Sequence, residues 1–330
     1  MQYASGCPRG TLFPSVALAG LSTLVLTGCE APLNLDAVHQ QSQHAIQRTD
    51  FYQSVANNDN VIVVAGNTGV LLTRPHDSEH WQRVAVPTHD SFIDLDSCPD
   101  GSFIALTFSN QIWHGDANAR HWSSHDLPSP EQMMTLTCAP DNAWWTAGSF
   151  TTIQHSADQG TSWQEASLQE DAILTNLQFL DADHAIATGE YGLLLKTEDG
   201  GENWDIAGYL PDEFYPHASH FRSAEDGWVG GLNGFIYHTN DGGQSWTRQS
   251  TDTSAPIFGF VTREQELLAL GDNSTVLQLR GNQWLSLNTP NQPLYLRGGV
   301  LLENRQLLAA GGRGLLLNLD IPTAVLASKK

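Results

Sequence analysis

The sequence predicts an all-β fold, a seven-bladed β-propeller of four-stranded antiparallel blades, and three observations predict it. Trp81, Trp122, Trp163, Trp204, Trp246 and Trp284 fall 41, 41, 41, 42 and 38 residues apart, and a period near forty residues marks a solenoid or a propeller. Each period holds four short apolar or alternating runs divided by turn residues, a meander of strands rather than helices. Two turn types recur inside the period, one glycine-rich and one built on an Asp-Gly phrase.

The fourth unit shows the order of elements. Ala172–Phe179 is the innermost run, Asp183–Gly189 the second, Gly192–Thr197 the third, and the run opening at Trp204 the outermost. Between the second and third runs stands a Gly-x-x-Gly turn: Gly66 to Gly69, Gly189-Glu190-Tyr191-Gly192, Gly231-Leu232-Asn233-Gly234, and Gly311 to Gly314. We ascribe these glycines to the positive φ of tight hairpins. Between the third and fourth runs stand the phrases ending in Trp163, Trp204 and Trp246, with Asp158 and Gly160, Asp199 and Gly201, and Asp241 and Gly243 at matching places. The aspartate is suited to accept hydrogen bonds from turn amides, and the tryptophan to pack between neighbouring sheets.

The last unit offers three runs, Tyr295–Leu301, Gln306–Ala310 and Gly314–Leu319, while residues 43–48 read as a strand ahead of the first unit. Pairing that N-terminal strand with the C-terminal blade would close the ring and remove sheet edges. We therefore expect the propeller to occupy residues 43–321, with a tail over 322–330.

Residues 1–28 differ in kind. Arg9, an apolar stretch from Leu12 to Leu26 and the small residues before Cys29 form an export signal too short for an ordinary membrane span. The phrase Leu26-Thr27-Gly28-Cys29 resembles the lipobox of bacterial lipoproteins, which implies cleavage before Cys29 and its acylation. Residues 29–42 are then the acylated cysteine and a flexible linker, and the protein contacts the membrane through the lipid anchor alone. Glu30 rather than aspartate after the cysteine leans towards the outer membrane. Removing Arg9 takes the formal charge from −21 to −22, and so acidic a chain is a poor ligand for nucleic acid or anionic lipid.

Cys98 and Cys138 lie in neighbouring units, each beside a Pro-Asp turn. An exported protein permits a disulfide here. Aligning the two turns leaves the cysteines one residue out of register, on opposite strand faces, which favours two buried thiols. Both readings stand at this stage. The pairs His217 and His220, His76 and His80, and His121 and His125 fall in loops without a completing carboxylate or thiol, so no metal or cofactor is expected. No nucleophile elbow of the Gly-x-Ser-x-Gly type occurs.

The Asp-box phrase also occurs in sialidases and other glycosidases of propeller form. Such chemistry needs converging arginines with a Tyr-Glu pair, or two facing acids, and the arginine entry motif is missing, its nearest counterpart being Phe221-Arg222-Ser223-Ala224. A closer match is the composite stretch from Phe221 to Trp246, with Gly227-Trp228, Gly231-Leu232-Asn233-Gly234 and Thr239-Asn240-Asp241-Gly242-Gly243 in order. It resembles the photosystem II assembly and stability factor family of seven-bladed propellers. The resemblance implies a non-enzymatic scaffold or assembly role for a membrane complex, such as an exporter, or photosystem II in a photosynthetic organism. It also implies partner binding on one propeller face, through arginines. Here Arg48, Arg222, Arg297 and Arg313 are expected about the channel mouth, amid Glu190, Asp212 and Glu213.

That face carries the Gly-x-x-Gly turns and the loops leading to each next inner strand. Tyr191, Asn233 and the long aromatic loop with Tyr209, Phe214, Tyr215, His217 and His220 complete the candidate surface, because exposed aromatics on a rigid scaffold suit a protein or glycan contact. Phe214 and Tyr215 have a second reading, folded inward over the channel. We expect a monomeric propeller that binds an envelope or membrane protein complex. The rival classes are a sialidase-like hydrolase and a glycan- or small-ligand-binding module.

Overall fold

A computed structural model describes residues 34–322 apart from residue 291. The signal segment, Cys29 and the tail beyond 322 lie outside the described residues. The chain forms seven antiparallel sheets in a ring. Their innermost strands are Tyr52–Asn57, Phe92–Ser97, Met133–Cys138, Leu174–Phe179, Pro216–Phe221, Ile257–Arg263 and Leu296–Leu301, and each touches the next around the circle, the last touching the first. We number the blades 1 to 7 in that order.

The second strand of each blade is the apolar one, as in Val61–Gly66, Ala185–Gly189 and Gln306–Gly311. Sheets lie against both of its faces, so it reads as a continuous buried run. The core is accordingly divided into clusters between blades. Trp144 joins the cluster shared by blades 2 and 3, while Trp145 joins Leu174, Leu195 and Trp204 between blades 3 and 4. Successive strand residues point to opposite faces, so one Trp-Trp pair serves two interfaces.

The Asp boxes are self-contained turns. Asp199 accepts from Thr197 Oγ1 at 2.8 Å, from the Asn203 amide at 2.9 Å and from Asn203 Nδ2 at 2.7 Å. Those donors hold its carboxyl down to about 2, led by the Asn203 side chain, because each favours the ionised form. Asp158 and Asp241 sit in the same arrangement, held to about 2 chiefly by Ser162 and Ser245. Trp204 packs inside, 6.4 Å from Trp145.

The Gly-x-x-Gly turns use their two glycines differently, which corrects the expectation that both serve positive φ. Gly189 is extended, at φ −155°, and a Cβ there would stand 2.5 Å from the Ile173 carbonyl oxygen. That carbonyl crosses the turn to accept from the Glu190 amide at 2.9 Å, so the first glycine is needed for close approach. Gly192 is the left-handed one, at φ +76°. Opposite each turn the inner strand carries a bulge, between Leu174 and Asn176 in blade 4 and at the same place in the other six blades.

Ring closure differs from the expected one. Six sheets have four strands, and blade 7 has three among the described residues. Residues 43–48 form turns instead of a fourth strand, and Asp36–Ser42, expected within a flexible linker, is a short helix. The cause is Asp50, whose buried carboxylate accepts from Arg83 at 2.6 Å, from the Tyr52 hydroxyl at 3.0 Å and from the Gln47 amide at 2.9 Å. This folds the segment back and directs Ile46 into the seam between blades 1 and 7, where Tyr52, Val64, Val300 and Leu308 pack. Burial, then Asp50, pushes the Tyr52 hydroxyl upward.

Cys98 and Cys138 are joined as a disulfide, with Cα atoms 5.1 Å apart. The one-residue offset does not prevent it, because the inner strands of blades 2 and 3 are themselves staggered. Asp94 accepts from Leu136 N and Asp96 from Cys138 N, each at 3.0 Å. The side chains of one strand thus reach the backbone of the next, and Cys98 meets Cys138 at the end of that ladder.

Candidate functional site

In every blade the first strand starts at the Gly-x-x-Gly side, as the pairing of Pro216 with Gly231 shows in blade 5. The Gly-x-x-Gly turns and the loops between blades therefore share one face, and the Asp boxes lie on the other. At the third residue of the turn the backbone is left-handed: Thr68, Phe150, Tyr191, Asn233, Asn273 and Arg313 have φ of 51°, 54°, 59°, 58°, 54° and 55°. All six are exposed. The strained position is fixed by the fold, while its side chain differs from blade to blade.

Exposed apolar side chains gather on this face. Among the described residues, eleven large hydrophobics are exposed, and Phe51, Phe108, Phe150, Tyr191, Tyr209, Tyr215 and Leu232 stand here, on blades 1 to 5 and the loops between them. Single exposed apolar residues are ordinary, and it is their concentration on one side of the ring that makes this face the candidate surface. Tyr191 and Tyr209, each 55% exposed, line a 150 Å³ cavity with Glu170, Asp171, Ala172, Glu190 and Leu193. Glu190 also accepts from the Ile173 amide at 3.0 Å, which holds the loop in place.

At the channel mouth the bulged residues of blades 5 and 6, His217 and Phe258, lie 5.6 Å apart, and Phe258 meets Tyr295 at 6.4 Å. The Tyr295 hydroxyl accepts from Gln53 at 3.2 Å across the seam. Arg297 is the bulged residue of blade 7, and it is exposed. Burial, then Arg297, lowers the His217 imidazole, which stays neutral near pH 7. Tyr215 leans over this rim, 5.4 Å from His217.

The structure divides the candidate residues. Glu190, Tyr191, Tyr209, Tyr215, Asn233 and Arg313 are on the face, His217 and Arg297 are at the mouth, and Arg48 lies beside Gln47, which abuts the blade 7 turn at Gly314. Phe214 turns inward instead, but into blade 5 and not over the channel: its ring packs on Tyr237 at 5.0 Å and closely against Gly231. Arg222 and His220 are displaced, because they lie at the far end of a strand that begins at this face. Arg222 stacks over Trp228 at 4.5 Å and donates to the Gln265 carbonyl. Burial, then Arg222, lowers His220 to about 4. Phe51, Phe108, Phe150 and Leu232 were missed by sequence reasoning. Aligning the turns and reading their middle positions would have found the last three.

A cavity of 550 Å³ is on the opposite face at the closing seam, lined by polar residues including Asn58, Asp59, His76 and Glu303. Three arginines form ion pairs in separate parts of the ring. Arg83 pairs with Asp50 in blade 1, Arg222 with Asp226 in blade 5, and Arg305 with Glu266 between blades 7 and 6. Among the described residues no group of three or more His, Cys, Asp or Glu is placed to hold a metal, and no helix is long and apolar enough to cross a membrane.

Comparison with known proteins accords with this geometry. A family model described as photosynthesis system II assembly factor YCF48 matches residues 155–275, the stretch that holds the best Asp boxes. Over that stretch the chain resembles the Ycf48 BNR propellers. The photosystem II assembly lipoprotein Ycf48 of Synechococcus sp. (strain CC9902) is 34% identical to it over 109 residues, 31% of this chain and 30% of that protein. The alignment thus spans under a third of the curated relative's length. Among solved structures, YCF48 bound to a D1 peptide superposes with a TM-score of 0.68 at 14% identity, covering 83% of this Ycf48-like chain and 93% of the other. YCF48 from Cyanidioschyzon merolae gives 0.66 at 13% identity over 82% and 95%. Virginiamycin B lyase from Staphylococcus aureus, an enzyme, gives 0.73 at 14% identity over 84% and 96%. Likeness at such identities reports the shared propeller and nothing of its chemistry.

Proposed function

We propose that this Ycf48-like propeller is a non-enzymatic assembly or accessory factor that binds a segment of a membrane-protein complex on its Gly-x-x-Gly face. The observation that carries this reading is the gathering of Phe108, Phe150, Tyr191, Tyr209 and Tyr215 on one side of a rigid ring. A scaffold that exposes aromatics on loops and turns has hot-spot material without a catalytic constellation. Two relatives lend support: the Synechococcus protein is named an assembly lipoprotein, and another propeller of this form is described as bound to a D1 peptide. In a photosynthetic cell the complex would be photosystem II; elsewhere, another envelope assembly such as an exporter.

The same reading places the monomeric propeller on the periplasmic side of the envelope, tethered through acylated Cys29. Glu30 after the cysteine leans towards the outer membrane. The test is affinity capture of the full-length protein from detergent-solubilised membranes of its own cells. Tyr191→Ser and Arg313→Glu are run beside the wild type. Loss of one co-purifying membrane protein with either variant, at unchanged thermal stability, supports the reading. An unaltered set of captured proteins with both variants overturns the face. Metabolic labelling with palmitate should mark the wild type and leave Cys29→Ser unlabelled, and equal labelling of both would contradict the anchor.

A further inference from the structure

The binding face is polarised along a line across the ring. Its turns and inter-blade loops over residues 108–110, 127–132, 149–151, 168–173, 190–192 and 210–215 contain no lysine or arginine, and they contain Glu131, Glu170, Asp171, Glu190, Asp212 and Glu213. Across the channel, Arg313 stands in the blade 7 turn with Arg48 beside Gln47, which abuts that turn, and Arg297 is exposed at the channel mouth. Four of the six exposed aromatics of the face, Phe108, Phe150, Tyr191 and Tyr209, belong to blades 2 to 4, with Tyr215 at the end of the loop that follows and Phe51 in blade 1. Tyrosines and carboxylates meet in one cavity there, because strand pairing sets Tyr209 opposite Leu193, just past the turn that carries Tyr191.

Resting on the face assignment made above, we propose that blades 2 to 4 take an extended partner segment in which lysine or arginine alternates with apolar side chains. One cation seats between Tyr191 and Tyr209 beside Glu170, Asp171 and Glu190. An aromatic wall attracts a cation through its ring face, and the neighbouring carboxylates add attraction at short range. Phe108 and Phe150 supply apolar contact to the rest of the segment. An acidic segment would meet six carboxylates on this side without a compensating cation in the same loops, so charge selects against it. Arg48, Arg297 and Arg313 leave the opposite side of the mouth to an anionic part of the same partner.

The test uses the full-length protein in detergent and a labelled short peptide of alternating lysine and tyrosine, followed by fluorescence anisotropy at low and physiological salt. The same peptide with glutamate for lysine, and a neutral oligosaccharide such as cellohexaose, are the competing probes. Glu170→Gln/Asp171→Asn and Tyr191→Ser/Tyr209→Ser should each weaken the lysine peptide roughly tenfold. The control pair Glu198→Gln/Glu202→Gln, which removes the same charge from the Asp-box side, should change it by less than about twofold. Equal loss with the control pair, or equal or tighter binding of the glutamate peptide or the oligosaccharide, overturns the proposal. Capture of the native membrane partner separates the two levels. If the tyrosine variant loses it while the charge variant keeps it, the face stands and the cationic segment falls. If both variants keep it, both fall.

Discussion

The two sides of blades 3 to 5 treat their side chains in opposite ways. On the Asp-box side the aspartate is satisfied within its own turn, as Asp199 is by Thr197 and Asn203, and Trp204 is buried beneath. On the Gly-x-x-Gly side the backbone is just as fixed, yet Phe150 and Tyr191 are held outward with half their surface in water. The first side spends its residues on holding blades together. The second presents side chains that the fold does not need. Repetition in the sequence therefore marks structure, and the places where the repeat varies mark the surface available for recognition.

The largest expected effect breaks that comparison directly. Trp145→Ala, at a buried blade interface, should cost about 3–5 kcal/mol, whereas Tyr191→Ser should change stability by no more than about 0.5 kcal/mol. Urea unfolding of both variants measures the contrast. Comparable losses would mean that Tyr191 is a structural residue and the face reading is misplaced.

The disulfide comes next. Joining Cys98 to Cys138 closes a loop of 40 residues, and Cys98→Ser/Cys138→Ser should lower stability by about 2–4 kcal/mol through the freer unfolded chain. Membrane-partner capture at a temperature where the variant stays folded should be unchanged, since the bond links inner strands at their Asp-box ends. Weakened capture from a fully folded variant would extend the binding region to the channel.

A smaller effect separates two aspartates by pH. Asp96 lies within the channel wall, where burial raises its carboxyl to about 6 against the hydrogen bonds from Cys138 and Thr137. Its contribution to stability is present below the ordinary value near 3.8 and is lost as pH rises through about 6. Asp96→Asn keeps an oxygen to accept those hydrogen bonds, so the variant should gain on the wild type between pH 4 and pH 7. The box carboxylates carry the reverse sign. Held to about 2, they stabilise above the ordinary value and lose that contribution as pH falls through about 2, so Asp199→Asn should flatten the acid limb of the stability curve. A pH-independent difference for both variants would contradict the two environments.

Much of the fold was legible because its causes are local and repeated. The tryptophan spacing, the Asp boxes and the glycine turns each recur, and their count led to seven blades. Closure was not legible, since it depends on Asp50 gathering Arg83, Tyr52 and Gln47 from separate places in the chain. The disulfide stayed open for a related reason: its register is set by the stagger of neighbouring inner strands, visible only in Asp94 and Asp96 reaching across. At the candidate site, chain order placed Tyr191, Tyr209 and Arg313 on the Gly-x-x-Gly side, where the structure has them. It misplaced Arg222 and His220, because a six-residue strand carries its last residues to the other side of the ring. Phe214 and Tyr215 are neighbours with opposite fates, and the choice rests on Gly231 leaving room for the Phe214 ring.

The central claim is that the Gly-x-x-Gly face, and not the Asp-box rim, meets the partner. Site-specific photocross-linking in the native cells tests it most directly, with the reactive residue placed at Tyr209 or Phe150 on one side and at Glu198 or Ser245 on the other. The account predicts adducts to one membrane protein from Tyr209 and Phe150, with none from the Asp-box positions. Adducts to that protein from Glu198 and Ser245, with none from Tyr209 or Phe150, would contradict it.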